Sequence, residues 1–193
     1  MEPVQVFFDL CCPYCYLAQG YLARMREGTP LEVAWIPWEI HPEFPPQGIR
    51  RPWRGLDRLR EMGAPVDRPF ADLAFTPNTR KALQAVEHAQ PSGRADALVD
   101  RLFRGFFAEG QDLGDRQTLL RLAEEAGMER VGLGEALDRG THLPTLVAND
   151  RRAEEELHLE VVPSFLRGGR LLLAGSTTLT FPEFREAFPR LLP

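Results

Sequence analysis

Cysteine is nearly absent from this 193-residue chain: there are three, all within residues 11 to 15. With none elsewhere, there is no disulfide framework to staple a small fold and no second C-x-x-C to complete a zinc site. His41, His88, His142 and His158 are scattered along the sequence and suggest no paired-histidine half-site. No apolar run reaches membrane-spanning length, which argues against a membrane partner. Basic excess is also missing: 23 Lys and Arg stand against 28 Asp and Glu, a net charge of -5. Nothing therefore draws the molecule as a whole toward nucleic acid or anionic lipid. The start, MEPVQVFFDL, carries no basic segment followed by a cleavable apolar one, so the expected compartment is the cytoplasm. Internal repeats and low-complexity tracts are absent as well.

With 44% hydrophobic residues, the chain suits one compact domain, or a core domain carrying one large insertion. A short β-rich run, Val4 to Phe8, leads directly into FFDLCCPYCYLA. Pro13 then opens a helical pattern over Tyr14 to Arg26, with Leu17, Tyr21, Leu22 and Met25 on one face and Gly28 as its stop. Leu31 to Ile40 is a second strand candidate, which Pro37 bends or confines near its end. From residue 41 to about residue 140 the pattern is helical, and predicts helices over Thr79 to Gln90, Ala95 to Phe107 and Arg116 to Ala126. Asp115 is the expected N-cap of the last, and Gly127 its stop. This block reads as an α-helical insertion with its own small core. A charged helix near Thr145 to Leu157 follows. Two β-rich runs, Ser164 to Arg167 and Arg170 to Ala174, are then joined by Gly168-Gly169, a hairpin signal. Thr180 and Glu183 have capping-box spacing before a final helix with Phe184 and Phe188 inward.

The cysteines thus stand at a strand-to-helix junction. There, unpaired N–H groups and the positive end of the helix dipole stabilise a thiolate, which favours Cys12, the residue that opens the helix, as a nucleophile. Cys15, one turn further in, is suited to attack a mixed disulfide at Cys12. Pro13 fits the first helical position because its missing N–H is not needed there. A redox couple is favoured over half a metal site or inert packing, and no metal is expected. Cys11 is expected to be a packed or partly exposed free thiol, because a vicinal disulfide is strained.

Strand, C-P-Y-C, helix, strand, helical block, then V-P before a hairpin and a closing helix resembles the thioredoxin-fold proteins of the DsbA family. The stretches FFDLCCPYCYLA, NTRKALQAVEHA, FFAEGQDLGDRQTLLRLAEEAGM and VVPSFLRGGRLLLAGSTTLTFPEF are similar to its cytoplasmic FrnE-like branch. The resemblance implies an α/β fold: a thioredoxin-like core of mixed β-sheet flanked by helices, from residues 1–40 and 141–193, with a large α-helical insertion at 41–140. It implies a thiol-disulfide oxidoreductase in which Cys12 is the nucleophile and Cys15 the resolving cysteine. Val162-Pro163 matches the cis-proline loop that presents backbone to an extended substrate. Pro13 and Tyr14, between the cysteines, complete the expected substrate contacts. No cofactor is implied beyond a Cys12–Cys15 redox disulfide; partners would be disulfide- or thiol-containing proteins, with glutathione a candidate co-substrate. In two places the chain departs from the pattern: the branch usually has tryptophan at Tyr14, and V-V-P stands where G-V-P is common.

The nearest rival is the glutathione-dependent group of 2-hydroxychromene-2-carboxylate isomerases and kappa-class transferases, similar in layout but with serine where Cys12 stands. From a different class, RRPWRGLDRLR offers Arg50, Arg51, Arg54, Arg58 and Arg60 beside Trp53, a conceivable phosphate-binding and stacking surface. At this net charge it reads better as a solvated helix face. Gly132 and Gly134 are only a fragment of a phosphate loop and follow no strand.

Overall fold

A computed structural model describes residues 2–175 and 179–192. Four strands, β1 (Val4–Phe8), β2 (Val33–Pro37), β5 (Ser164–Arg167) and β6 (Arg170–Ala174), form the main sheet in the order β2-β1-β5-β6. Strand β1 (Val4–Phe8) is a near-continuous apolar run because it is central and covered on both faces. It pairs parallel with β2 (Val33–Pro37), Val4 opposite Val33, and antiparallel with β5 (Ser164–Arg167), Val6 opposite Phe165. As expected, Pro37 ends β2, and β2 is an edge strand, where a missing N–H leaves no ladder bond unmade. Strand β6 (Arg170–Ala174) turns back from β5 through Gly168 and Gly169, whose φ values of 57° and 75° are those a two-residue hairpin turn demands.

Helix α1 (Pro13–Arg26) starts immediately after the cysteine pair Cys11-Cys12 and runs from the end of β1. Seven further helices are described: α2 (Leu56–Gly63), α3 (Arg80–Ala89), α4 (Ala95–Phe103), α5 (Arg116–Glu125), α6 (Arg130–Arg139), α7 (Leu143–Arg151) and α8 (Phe181–Ala187). Asp115 caps α5 by accepting the Thr118 N–H at 2.7 Å, and the Glu183 carboxylate reaches back to the Thr180 N–H at 2.7 Å. Phe184 and Phe188 are buried, as their spacing predicts. Among the described residues, no helix is long and apolar enough to cross a membrane.

Some local structure differs from expectation. The helix predicted to continue to Phe107 changes at Arg104–Ala108 into a π turn, in which Phe106 and Phe107 are both fully buried. Gly105 lies there against Leu122, whose Cδ1 would be 2.7 Å from an added Cβ. Helix α6 contains both Gly132 and Gly134, and Glu129 caps it by accepting N–H bonds from Val131 and Gly132. A small antiparallel pair, β3 (Ile49–Arg50) and β4 (Phe75–Thr76), is too short to leave a periodic signal.

The expected separate core of residues 41–140 does not form. Val6, Phe8, Tyr16 and Trp35 belong to the same continuous buried cluster as Leu83, Val86, Leu98, Phe103 and Phe107. Tyr16 of α1 stacks on Phe107 with ring centroids 5.1 Å apart and also meets Phe70 and Phe103. Arg68 strengthens the joint: fully inside, it donates to Gln19 and to Asp100 at 2.8 Å and lies over the Tyr16 ring. Gly20 makes room for it, since an added Cβ would come within 2.6 Å of Arg68 Cγ. The opposite face of the sheet carries a smaller cluster of Phe7, Trp38, Ala153, Leu159 and Leu166.

Because one core spans the sheet and the helices, unfolding should be a single transition. Phe103→Ala should lower stability by about 3–5 kcal/mol, and urea titrations followed by tryptophan fluorescence and by far-ultraviolet circular dichroism should shift together. Two separated transitions would show that the helical segment holds together on its own.

Candidate active site

The turn between β1 and α1 is built by its own backbone. Cys12 has an extended conformation (φ -86°, ψ 115°) as the N-cap, and Pro13 occupies the first helical turn. In place of a serine or aspartate oxygen, the Cys12 sulfur accepts the Cys15 backbone N–H at 3.4 Å. Across from it, the Cys12 thiol is 3.7 Å from the Val162 carbonyl oxygen, to which it donates. Val162-Pro163 is a cis peptide bond, and Pro163 is buried at the start of β5, where its carbonyl accepts the Gly175 N–H at 2.6 Å. The structure therefore brings Cys12, Cys15, Val162 and Pro163 into one place from ends of the chain 150 residues apart. Pro13 and Tyr14 lie between the cysteines and are half-buried; the Tyr14 side chain packs on the main core.

Burial separates the three thiols. Cys15 is wholly enclosed, while Cys11 and Cys12 keep 5% and 7% of their surface and line a common cavity. Burial, followed by the hydrogen bond to Cys12 and the adjacent Cys12 charge, holds the Cys15 thiol well above the usual range. For Cys11 the causes are burial, then the charges of Asp9 and Cys12, and the direction is the same. No carboxyl was expected here, yet Asp9 lies fully buried beneath the turn. It accepts from the Thr79 hydroxyl at 2.7 Å, the Ile40 N–H at 2.9 Å and the Cys11 N–H at 3.2 Å. Burial raises its pKa despite these bonds. Asp9 is close enough to Cys11 and Cys15 for its charge to raise both thiols further. The signal in the sequence was an aspartate closing the apolar run VQVFF, directly before the cysteines.

Two more carboxyls continue this acidic layer. Glu39 pairs with Arg80 at 2.9 Å, and Asp150 accepts the Glu39 N–H at 2.9 Å. Burial, opposed by that bond and aided by the charges of Glu39, Glu154 and Asp9, raises Asp150 to about 6.

A cavity of about 950 Å³ opens beside the cysteines. The β1–α1 turn contributes Cys11, Cys12 and Pro13; the segment after β2 contributes Ile40, His41 and Phe44; Arg51 to Arg54 and Thr76 complete the lining. RRPWR, read from the sequence as a solvated helix face, thus lies partly in the wall of the site and just before α2. His88 and His142, far apart in sequence, meet at 3.0 Å between their rings. Among the described residues, no group of three or more His, Cys, Asp or Glu is placed to hold a metal ion.

A dithiol turn at a helix start, facing a cis-proline loop on a mixed sheet, defines a thioredoxin-like fold of the DsbA type. The family profile described as the DSBA-like thioredoxin domain matches residues 3–184, and the chain belongs to that family. A curated relative, the uncharacterized protein YwbO of Bacillus subtilis (strain 168), is 26% identical over 176 residues, 88% of each chain. Among solved structures, the probable DsbA oxidoreductase SCO1869 of Streptomyces coelicolor superposes with a TM-score of 0.82 at 21% identity, covering 99% of this chain and 90% of that one. A 2-hydroxychromene-2-carboxylate isomerase gives 0.73 at 18% identity, covering 97% and 95%. The cytosolic disulfide reductase DsbM of Pseudomonas aeruginosa, solved with GSH, gives 0.65 at 24% identity, covering 91% and 90%.

The raised pKa of Asp150 has a testable sign. Its folded-state value of about 6 exceeds its ordinary 3.8, so its contribution is full at low pH and is lost as pH rises through that window. Asp150→Asn keeps the acceptor for the Glu39 N–H. Relative to wild type, it should gain stability between pH 4 and 6, measured by urea midpoints across that range; parallel curves would show that Asp150 does not titrate there.

Proposed function

We propose that the protein is a thiol-disulfide oxidoreductase that cycles Cys12 and Cys15 between dithiol and disulfide with protein or small-thiol substrates. In this reading the Cys12 thiolate attacks one sulfur of a substrate disulfide. A Cys12–substrate bond forms, the substrate S–S bond breaks, and the leaving thiolate takes up a proton. Cys15 then attacks the Cys12 sulfur and releases the second thiol. Two cysteine thiols are oxidised and one substrate disulfide is reduced; the reverse sequence oxidises a substrate dithiol.

The observation that carries the reading is the position of Cys12 as N-cap, its sulfur 3.4 Å from the Cys15 N–H. An N–H aimed at that sulfur at the start of a helix fixes its position beside the cavity, where a substrate sulfur can reach it. Membership of the DSBA-like family and the likeness to a cytosolic disulfide reductase support both this chemistry and a cytoplasmic setting. Val162 and Pro163 are the proposed docking loop, with Pro13 and Tyr14 beside it. No metal is invoked, and glutathione is a candidate co-substrate. The FrnE-like branch remains the proposed placement within the family. The glutathione-dependent isomerase reading requires a hydroxyl to engage the glutathione thiol where this chain has Cys12, and is the weaker alternative.

Iodoacetamide should label Cys12 first at neutral pH, with Cys11 and Cys15 slower because burial holds them protonated. Cys15→Ser should then accumulate a mixed disulfide on Cys12 when the reduced protein meets a disulfide substrate, as mapped by peptide mass. A trapped adduct on Cys11, or equal labelling of all three at every pH, would overturn the assignment.

A further inference from the structure

The wall of the cavity beside Cys12 carries two arginines that, among the described residues, have no acidic partner. Arg51 and Arg54 are both exposed and both line it. Among the described residues, no carboxylate lies within ion-pair distance of either, whereas Arg60 on the following helix is engaged by Asp57 at 3.2 Å and Asp72 at 2.5 Å. Asp57, the acid nearest to Arg54 in sequence, is thus already taken.

The segment that carries the two arginines is held in place. Trp53, between them, donates its ring N–H to the Phe75 carbonyl at 3.0 Å and its backbone N–H to the Leu73 carbonyl at 2.9 Å. Its ring meets Phe106 and Phe107 edge-on. Two guanidinium groups on an anchored backbone recognise carboxylates with less ordering cost than the same groups on a mobile loop. About 950 Å³ also suits a small ligand rather than a protein segment, which would need an extended surface.

We infer that the substrate of this site is a low-molecular-weight thiol, or its disulfide, bearing carboxylates that Arg51 and Arg54 receive while its sulfur exchanges with Cys12. The inference rests on the disulfide-exchange reading above and narrows its substrate class. The anionic disulfide is the oxidant, and the products are two molecules of its thiol and the Cys12–Cys15 disulfide.

The test is oxidation of the reduced protein by three disulfides: glutathione disulfide (anionic), bis(2-hydroxyethyl) disulfide (neutral) and cystamine (cationic). Each rate constant is divided by that of the same disulfide with free cysteine, which removes intrinsic reactivity. Wild-type protein should prefer the anionic disulfide, and the preference should shrink as salt is raised. In Arg51→Gln/Arg54→Gln the anionic-to-neutral ratio should fall about tenfold, from two lost charge-assisted contacts. Arg51→Lys/Arg54→Lys should restore part of the ratio, and Arg51→Glu/Arg54→Glu should turn the preference toward cystamine. Exchange that proceeds without charge preference, a ratio indifferent to these changes, or a protein disulfide reacting faster than glutathione disulfide would overturn the inference while leaving the exchange reading intact. Failure of every disulfide to oxidise Cys12 and Cys15 in the wild-type protein would remove the exchange reading and this inference together.

Discussion

The Asp9 carboxyl ties together three segments that lie far apart in the sequence. It takes the Cys11 N–H from the β1–α1 turn, the Ile40 N–H from the loop after β2 and the Thr79 hydroxyl just before α3. The first two of these segments contribute lining to the cavity beside Cys12, and the third begins the helix that packs on the sheet. A buried carboxyl is costly unless its oxygens are satisfied, and here both are. The arrangement of the site therefore depends on one polar group at the end of the most buried strand. Removing that group would leave two backbone N–H groups without their partner.

Around this point the fold separates protection from access. Tyr16 and its aromatic neighbours close the inner side of α1, which leaves Cys15 wholly enclosed. Cys12, one turn earlier, faces the Val162 carbonyl and the cavity. A thiol that attacks external sulfur must be reachable, and a thiol that resolves the adduct need only reach its neighbour. In the proposed cycle, one helical turn supplies both positions. Asp9 and Asp150 accept backbone N–H groups of the segment after β2, at Ile40 and Glu39, while Arg51 and Arg54 line the cavity beside the turn.

Much of this was legible in the sequence because it is encoded locally. The strand-to-helix junction at Cys12, the Gly168-Gly169 hairpin, the Asp115 cap and the inward Phe184 and Phe188 each follow from residues a few positions apart, where backbone geometry and side-chain chemistry act directly. The pairing of Cys12 with Val162-Pro163 entered through family resemblance, since no local rule joins residues 150 positions apart. The π turn after Phe103 was missed because apolar periodicity over five residues does not separate it from an α turn, and the β3–β4 pair because two-residue strands carry no period.

What the sequence by itself determined, then, is the chemistry available: three thiols in one turn, the helix that favours one of them, and the elements on either side. Only the tertiary structure decided that residues 41–140 share a single core with the sheet, since apolar periodicity marks a face without naming what covers it. It also decided that Asp9 is interior and that the arginines of RRPWR line the cavity beside Cys12, because burial and charge pairing are properties of neighbours brought together by folding.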